Sequence, residues 1–283
     1  MTSHPTAGDP VPAITEAEAT GGIKAIYSDI RATTGVPVVN LIWRHLATMD
    51  GALPWTWGIL RPLYAAGTVA SAATTLRQDL ALPAMQPWPA SVLESAGLSP
   101  ADRTAVSRIL RSYDRSNAMN LVALAALQAR LRDETDAASL AETPPGADIE
   151  GQLPALLTFD QMAPATADLV YRLNAIGDPE HKVIASMYRH PAHWPGFLAL
   201  VWERLSPLTA DGQVDGVIAA NLAKGRTIAA RLAAQVPAPD PAQTPPPGTV
   251  AEVNAALDLF IRYAIGRMVP LGSLLARSFP HGE

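Results

Sequence analysis

The chain has 283 residues, enough for one large domain or two small ones; 48% are hydrophobic, only 17% charged and 6% aromatic. Ala, Leu and Val therefore supply most of the apolar content, which suits packed helices and excludes wholesale disorder. Twenty-one Lys and Arg against 26 Asp and Glu give a net charge of −5. No basic run marks a nucleic-acid groove, and the absence of cysteine excludes disulfides, thiolate zinc sites and cysteine nucleophiles.

The opening MTSHPTAGDP has no basic region followed by an apolar stretch, so a signal peptide is not expected. No window approaches the ~18 uninterrupted apolar residues of a membrane span, which makes a cytoplasmic protein the expectation. The proline-rich stretch Pro83–Pro100 interrupts the first part of the chain. Ala101–Asp133 then opens on Ser-Pro-Ala-Asp and repeats apolar residues at helical spacing through Val106, Ile109, Leu110, Leu121, Leu124 and Leu127. Thr143–Pro154 reads as a linker. Val217–Ala234 is helical again, Pro237–Gly248 is a second proline-rich break, and Val250–Arg277 predicts a long helix kinked at Pro270.

The chain also repeats itself. At an offset of 145, Arg44–Leu63 falls on Arg189–Leu208 without a gap and nine of twenty positions are identical, where roughly one or two would match by chance. The pairs include Arg44/Arg189, His45/His190, Gly51/Gly196, Trp57/Trp202 and Pro62/Pro207. An all-α fold of two tandem helical repeats follows, forming a pseudo-twofold dimer within one chain. Residues 1–142 make the first repeat, 143–154 the linker and 155–283 the second, packed as one globular unit.

Chemistry has to be read from the repeat. Serine-nucleophile and phosphate-loop motifs are absent, and His190 and His193 beside His181 lack any established ligand spacing, so no metal site is expected. The duplicated Arg-His pair is the exception. In a pseudo-twofold arrangement Arg44-His45 and Arg189-His190 line one cleft, where arginine grips an anion and histidine moves a proton. The alternative is two solvated or salt-bridged helix starts. Trp43 and Tyr188, which match each other, read as core residues or cleft walls. Asp114 and Asn117 are three apart on one helical face and are buried polar candidates if it turns to the cleft.

The stretches IYSDIRATTGVP and RHLATMDGALPWTW, then SNAMNLVALAAL and SMYRHPAHWPGFLALV, resemble the group I α-haloacid dehalogenases over nearly the whole chain. The resemblance implies an all-helical, cofactor-free enzyme with its site between the repeats, in which an aspartate activates water to displace halide at Cα. Asn117 matches the family's active-site asparagine. The catalytic aspartate lies seven residues before the Trp-Pro that matches Trp194-Pro195, and that position here is Met187. A thioether cannot take a proton from water.

The chain resembles more closely a natural-product branch in which such a protein, beside a sulfotransferase, closes an aziridine ring: an amine of the substrate displaces sulfate. That resemblance implies Asn117, with His190 or Asp114 as proton acceptor, and Arg44, Arg189 or Arg61 holding sulfate or a carboxylate. His45, Trp43, Met187 and Tyr188 complete the implied pocket. It also implies a substrate on an amino-group carrier protein. The other readings are a hydrolytic 2-haloacid dehalogenase in which Asp50, Asp114 or a histidine replaces the aspartate, and a non-catalytic partner subunit of a sulfotransferase.

Overall fold

The computed structural model describes residues 10–280 except 137, 139, 141, 142 and 145; His4 and His281 lie outside the described residues. No strand occurs among the described residues. The first half runs α1 (Gly21–Thr34), α2 (Leu41–Leu46), α3 (Ala52–Ala65), α4 (Thr68–Gln78), α5 (Ala90–Ser95) and α6 (Pro100–Leu131). The second runs α7 (Pro164–Ala175), α8 (Ser186–Arg189), α9 (Pro195–Ala210), α10 (Gln213–Ala233), α11 (Pro247–Phe260) and α12 (Gly266–Ser278).

The long helix α6 organises the packing. Its start is fixed by a capping box: Asp102 N–H donates to Ser99 Oγ (3.2 Å), Ser99 N–H donates to Asp102 Oδ2 (2.9 Å), and Pro100 occupies the first turn. From Ala118 to Leu127 nearly every side chain is buried, because α4, α10 and α12 cover different faces of it. A helix surrounded in this way loses its polar face, and its sequence turns apolar all round.

The run Pro247–Ser278 is not uninterrupted, since it carries Asp258, Arg262 and Arg267, but on average it is long and apolar enough to span a bilayer, with a mean hydropathy of 1.3. Its faces are taken up by the protein itself: 83% of that window is buried. α12 runs through Pro270, and it is preceded by a wide π turn at Ile261–Ile265, closed by Gly266 N–H donating to the Ile261 carbonyl.

The repeated glycines serve different ends. Gly51 adopts φ 73° ahead of α3, a left-handed conformation that side chains resist. At Gly196 a Cβ would stand 2.2 Å from the Ala96 carbonyl oxygen, so close helix approach decides that position. Residues 146–154 make hydrogen bonds to the first half. Ile149 N–H donates to the Gly35 carbonyl (2.9 Å), and Arg115 donates to the Gly146 carbonyl (2.6 Å).

Candidate functional site

Two cavities meet at one side chain. An inner cavity of about 30 Å³ is bounded by Asn40, Tyr113, Asn117, Ser186 and Met187, with Val183, Phe260, Ile265 and Met268 completing an apolar wall. An outer cleft of about 1270 Å³ is lined by Tyr27, Val38, Arg44, Leu153, Leu156, Phe159, Arg189 and His190, among others. Tyr113 lines both.

Local structure explains how these groups converge. Asn40 stands just before α2 and Arg44 lies in its last turn, while Tyr113 and Asn117 are one turn apart on α6. Ser186 and Met187 open α8, and the segment before it is held by Arg267, which is fully buried. Arg267 donates to the carbonyls of Asn174 (2.7 Å), Ile176 (3.1 Å) and Val183 (3.0 Å), and to Asn174 Oδ1 (2.7 Å). Asp178 lies 3.6 Å away and accepts the Lys182 and Val183 amides, both at 3.1 Å. A buried arginine is tolerable when its donors are spent this fully.

A chain of hydrogen bonds runs along the wall between the cavities. Arg44 Nη2 donates to Ser186 Oγ (3.1 Å) and Arg44 Nε to the Val39 carbonyl (3.2 Å). Ser186 hydrogen-bonds Tyr113, and the Tyr113 hydroxyl donates to His190 Nδ1 (2.6 Å). His190 spends its N–H on the Pro154 carbonyl, which can only accept. Burial, then the charges of Arg44, His193 and Arg189, push the His190 pKa down from 6.5 to about 3, so the ring is neutral. Burial also raises the Tyr113 phenol well above its ordinary value, against the pull of Arg44 and Arg189.

Asn117 Oδ1 accepts from Asn40 Nδ2 (3.1 Å), leaving the buried Asn117 Nδ2 without a partner at the inner cavity. Such a donor is held for an incoming acceptor or costs ~1–3 kcal/mol. Arg44 is likewise buried, at 6% exposure, and its hydrogen bonds go to neutral groups only. Met187 fills the side of the cavity facing α12, its sulfur 3.1 Å from where a Cβ at Gly272 would stand.

The structure brings Asn117 and Met187 to the inner cavity and Arg44, Arg189 and His190 to the outer cleft. Several expected site residues lie elsewhere. His190 is corrected as a proton acceptor, because its lone pair is occupied by Tyr113 and burial opposes its charged form. Asp114 is paired with Arg77 and accepts from Ser273, facing away from both cavities.

Arg61 is half-exposed and grips Asp29 (2.6 and 2.9 Å). His45 turns to the Pro12 carbonyl (2.8 Å) and stacks on Phe260. Trp43 donates to Asn120 (3.1 Å) and packs edge-on to Trp57 within the core. Tyr188 is buried beside neither cavity, its phenol pushed up to about 12 by burial. Asp50 is exposed in the turn before α3. Among the described residues no three His, Cys, Asp or Glu converge as a metal site.

Tyr113, Ser186 and Asn40 were missed. Tyr113 carries a usable signal, since it lies four residues before Asn117 on the same helical face.

No family model matches the chain. A configuration-inverting 2-haloacid dehalogenase of Alcaligenes xylosoxydans xylosoxydans is 27% identical over 214 residues, covering 72% of this chain and 71% of that protein. A D-2-haloacid dehalogenase mutant solved with D-2-CPA superposes with a TM-score of 0.69 at 18% identity, covering 94% of this chain and 96% of its own. A D-2-haloacid dehalogenase solved with L-LA superposes at 0.72 with 16% identity, over 95% and 96%. The chain is homologous to the configuration-inverting 2-haloacid dehalogenase and has the all-helical fold of the D-2-haloacid dehalogenases.

Proposed function

We propose that the chain is a dehalogenase-like enzyme that displaces an anionic leaving group from saturated carbon. In this reading the nucleophile is an amine of the substrate, and an aziridine ring closes as sulfate departs. The observation that carries it is the lining of the inner cavity. Met187 stands where the resemblance puts an aspartate, and no carboxylate bounds the cavity. Without a base, water is a poor nucleophile. An amine brings its own lone pair and needs only orientation and exclusion of water.

The C–N bond forms as the C–O bond to sulfate breaks, and the electron pair leaves with the sulfate. Arg44 offsets the charge growing on that oxygen, and the free Asn117 N–H donates to it. The proton on the new ring nitrogen passes to water after release, since His190 and Asp114 are both engaged.

A second reading, hydrolysis of a 2-haloacid, is favoured by the sequence relative, whose described activity it is. It requires a water-activating group other than an inner-cavity carboxylate. One assay separates the two. The purified protein is given each enantiomer of 2-chloropropionate, and separately the sulfate ester of a vicinal amino alcohol. Sulfate and aziridine without chloride is the expected result. Chloride release at ~1 s⁻¹ or faster would overturn ring closure in favour of hydrolysis.

A further inference from the structure

The inner cavity, at about 30 Å³, has room for about two waters at ~10–15 Å³ each. The outer cleft, at about 1270 Å³, exceeds the ~300–1,000 Å³ of ordinary ligand pockets and is far larger than a two- or three-carbon acid needs. Its charge is unevenly placed. Arg44 and Arg189 lie buried at the end next to Tyr113, where both act on the Tyr113 and His190 rings. Arg44 makes no ion pair among the described residues; Glu16, which lines the same cleft, is engaged by Arg31 and the Val39 amide, and a buried cation so placed invites an anion. Glu16 and Arg31, paired with each other, and Lys24 and Asp160 also line the cleft, while Val38, Leu153, Leu156 and Phe159 supply an apolar stretch of its wall.

We infer that the outer cleft binds the body of an amphipathic organic acid: an anionic head seated against Arg44, with an apolar chain of about eight carbons or more lying along Leu153, Leu156 and Phe159. The inference rests on the proposed displacement only in naming Tyr113 as the side to which the reacting end points. The large cleft is thus a specificity device for chain length. Short acids share the head contact and forfeit the wall.

Calorimetric titration of the purified protein with acetate and with decanoate, below its micellar concentration, tests this. Each buried methylene contributes about fourfold in affinity, so eight more methylenes, even partly buried, give decanoate at least a hundredfold advantage. Leu156→Gln, an uncharged change in the wall, should cut decanoate affinity at least tenfold and lower acetate affinity far less. Arg44→Lys should weaken both acids, with helical circular dichroism reporting that the variant folds. Equal affinity for the two acids, or full decanoate affinity in Leu156→Gln, overturns the inference. Decanoate binding without any sulfate or chloride release sinks the displacement reading alone. Turnover of small substrates with no preference for decanoate sinks this one alone.

Discussion

His45 and His190 occupy matching places in the sequence repeat, yet one helps build a wall and the other a site. Each meets an aromatic ring on the long helix of the opposite half: His45 stacks on Phe260 at 5.6 Å between centroids, and His190 lies 5.5 Å from Tyr113. The two rings differ by one hydroxyl group. Tyr113 engages His190 and Ser186, and through Ser186 the polar chain reaches Arg44. Phe260 offers nothing, and His45 turns to the Pro12 carbonyl. The long helices diverge in step. At a sequence offset of 147 residues, which pairs Tyr113 with Phe260, Asn117 corresponds to Ala264 and Asn120 to Arg267. The two sequence repeats carry similar residues at these places, and a few polar differences on one of them build the hydrogen-bonded wall of the candidate site.

The sharpest break in that comparison is at Met187. Met187→Asp should lower ring closure and bring chloride release from 2-chloropropionate into the measurable range, since general-base assistance is worth roughly 10²–10⁴-fold. A variant as inactive on chloropropionate as the parent would place the missing function elsewhere. Next comes Arg44→Ala, for which a loss of about 10²–10³ in kcat/KM is expected if the leaving group is held in the transition state. Arg61→Ala, on the exposed Asp29 pair, should leave turnover unaltered, and steady-state kinetics on both variants compare them directly.

The pH dependence of stability comes third. His190 is held at about 3 in the folded chain against 6.5 otherwise, so the unfolded state binds more protons between those values. Stability is complete above about pH 6.5 and falls as the pH drops toward 3, at up to about 1.4 kcal/mol per unit. Thermal melts across that window should be steep for the parent and flatter for His190→Gln. The smallest effect concerns the hydroxyl itself. Tyr113→Phe strips a hydrogen bond from the buried His190 and Ser186 and should cost about 1–3 kcal/mol in urea titrations. Phe260→Tyr, the reciprocal change, should also destabilise unless the new hydroxyl finds a partner.

Much of the fold was legible because helical spacing is a local signal. The expected Ala101–Asp133 helix is α6 at Pro100–Leu131, and Val217–Ala234 lies within one or a few residues of α10 at Gln213–Ala233. The Ser99–Asp102 cap was readable from its spacing. The π turn was not, because apolar periodicity runs through it with only a change of phase.

The site was legible only in part. Tyr113 and His190 are 77 residues apart, and no spacing reveals that a phenol will hold an imidazole neutral. Arg61 resembles Arg44 as a letter, but Asp29, 32 residues away, claims it. Arg267 reads as an ordinary charge in an apolar helix. Only the carbonyls of Asn174, Ile176 and Val183 converging on it explain its burial.

That convergence also sets how often the Ile176–Ala185 stretch opens. It lies outside any regular helix, where amides usually exchange with solvent within the fast, local regime. Here the Lys182 and Val183 amides are locked onto Asp178 and the Ala185 amide onto Asn174 (2.9 Å), with Arg267 gripping Asn174 and the carbonyls of Ile176 and Val183. None of those amide protons can reach deuterium without dismantling the clamp. Their exchange waits on the opening of that clamp, so a stretch drawn as a loop should exchange more slowly than its lack of regular structure suggests.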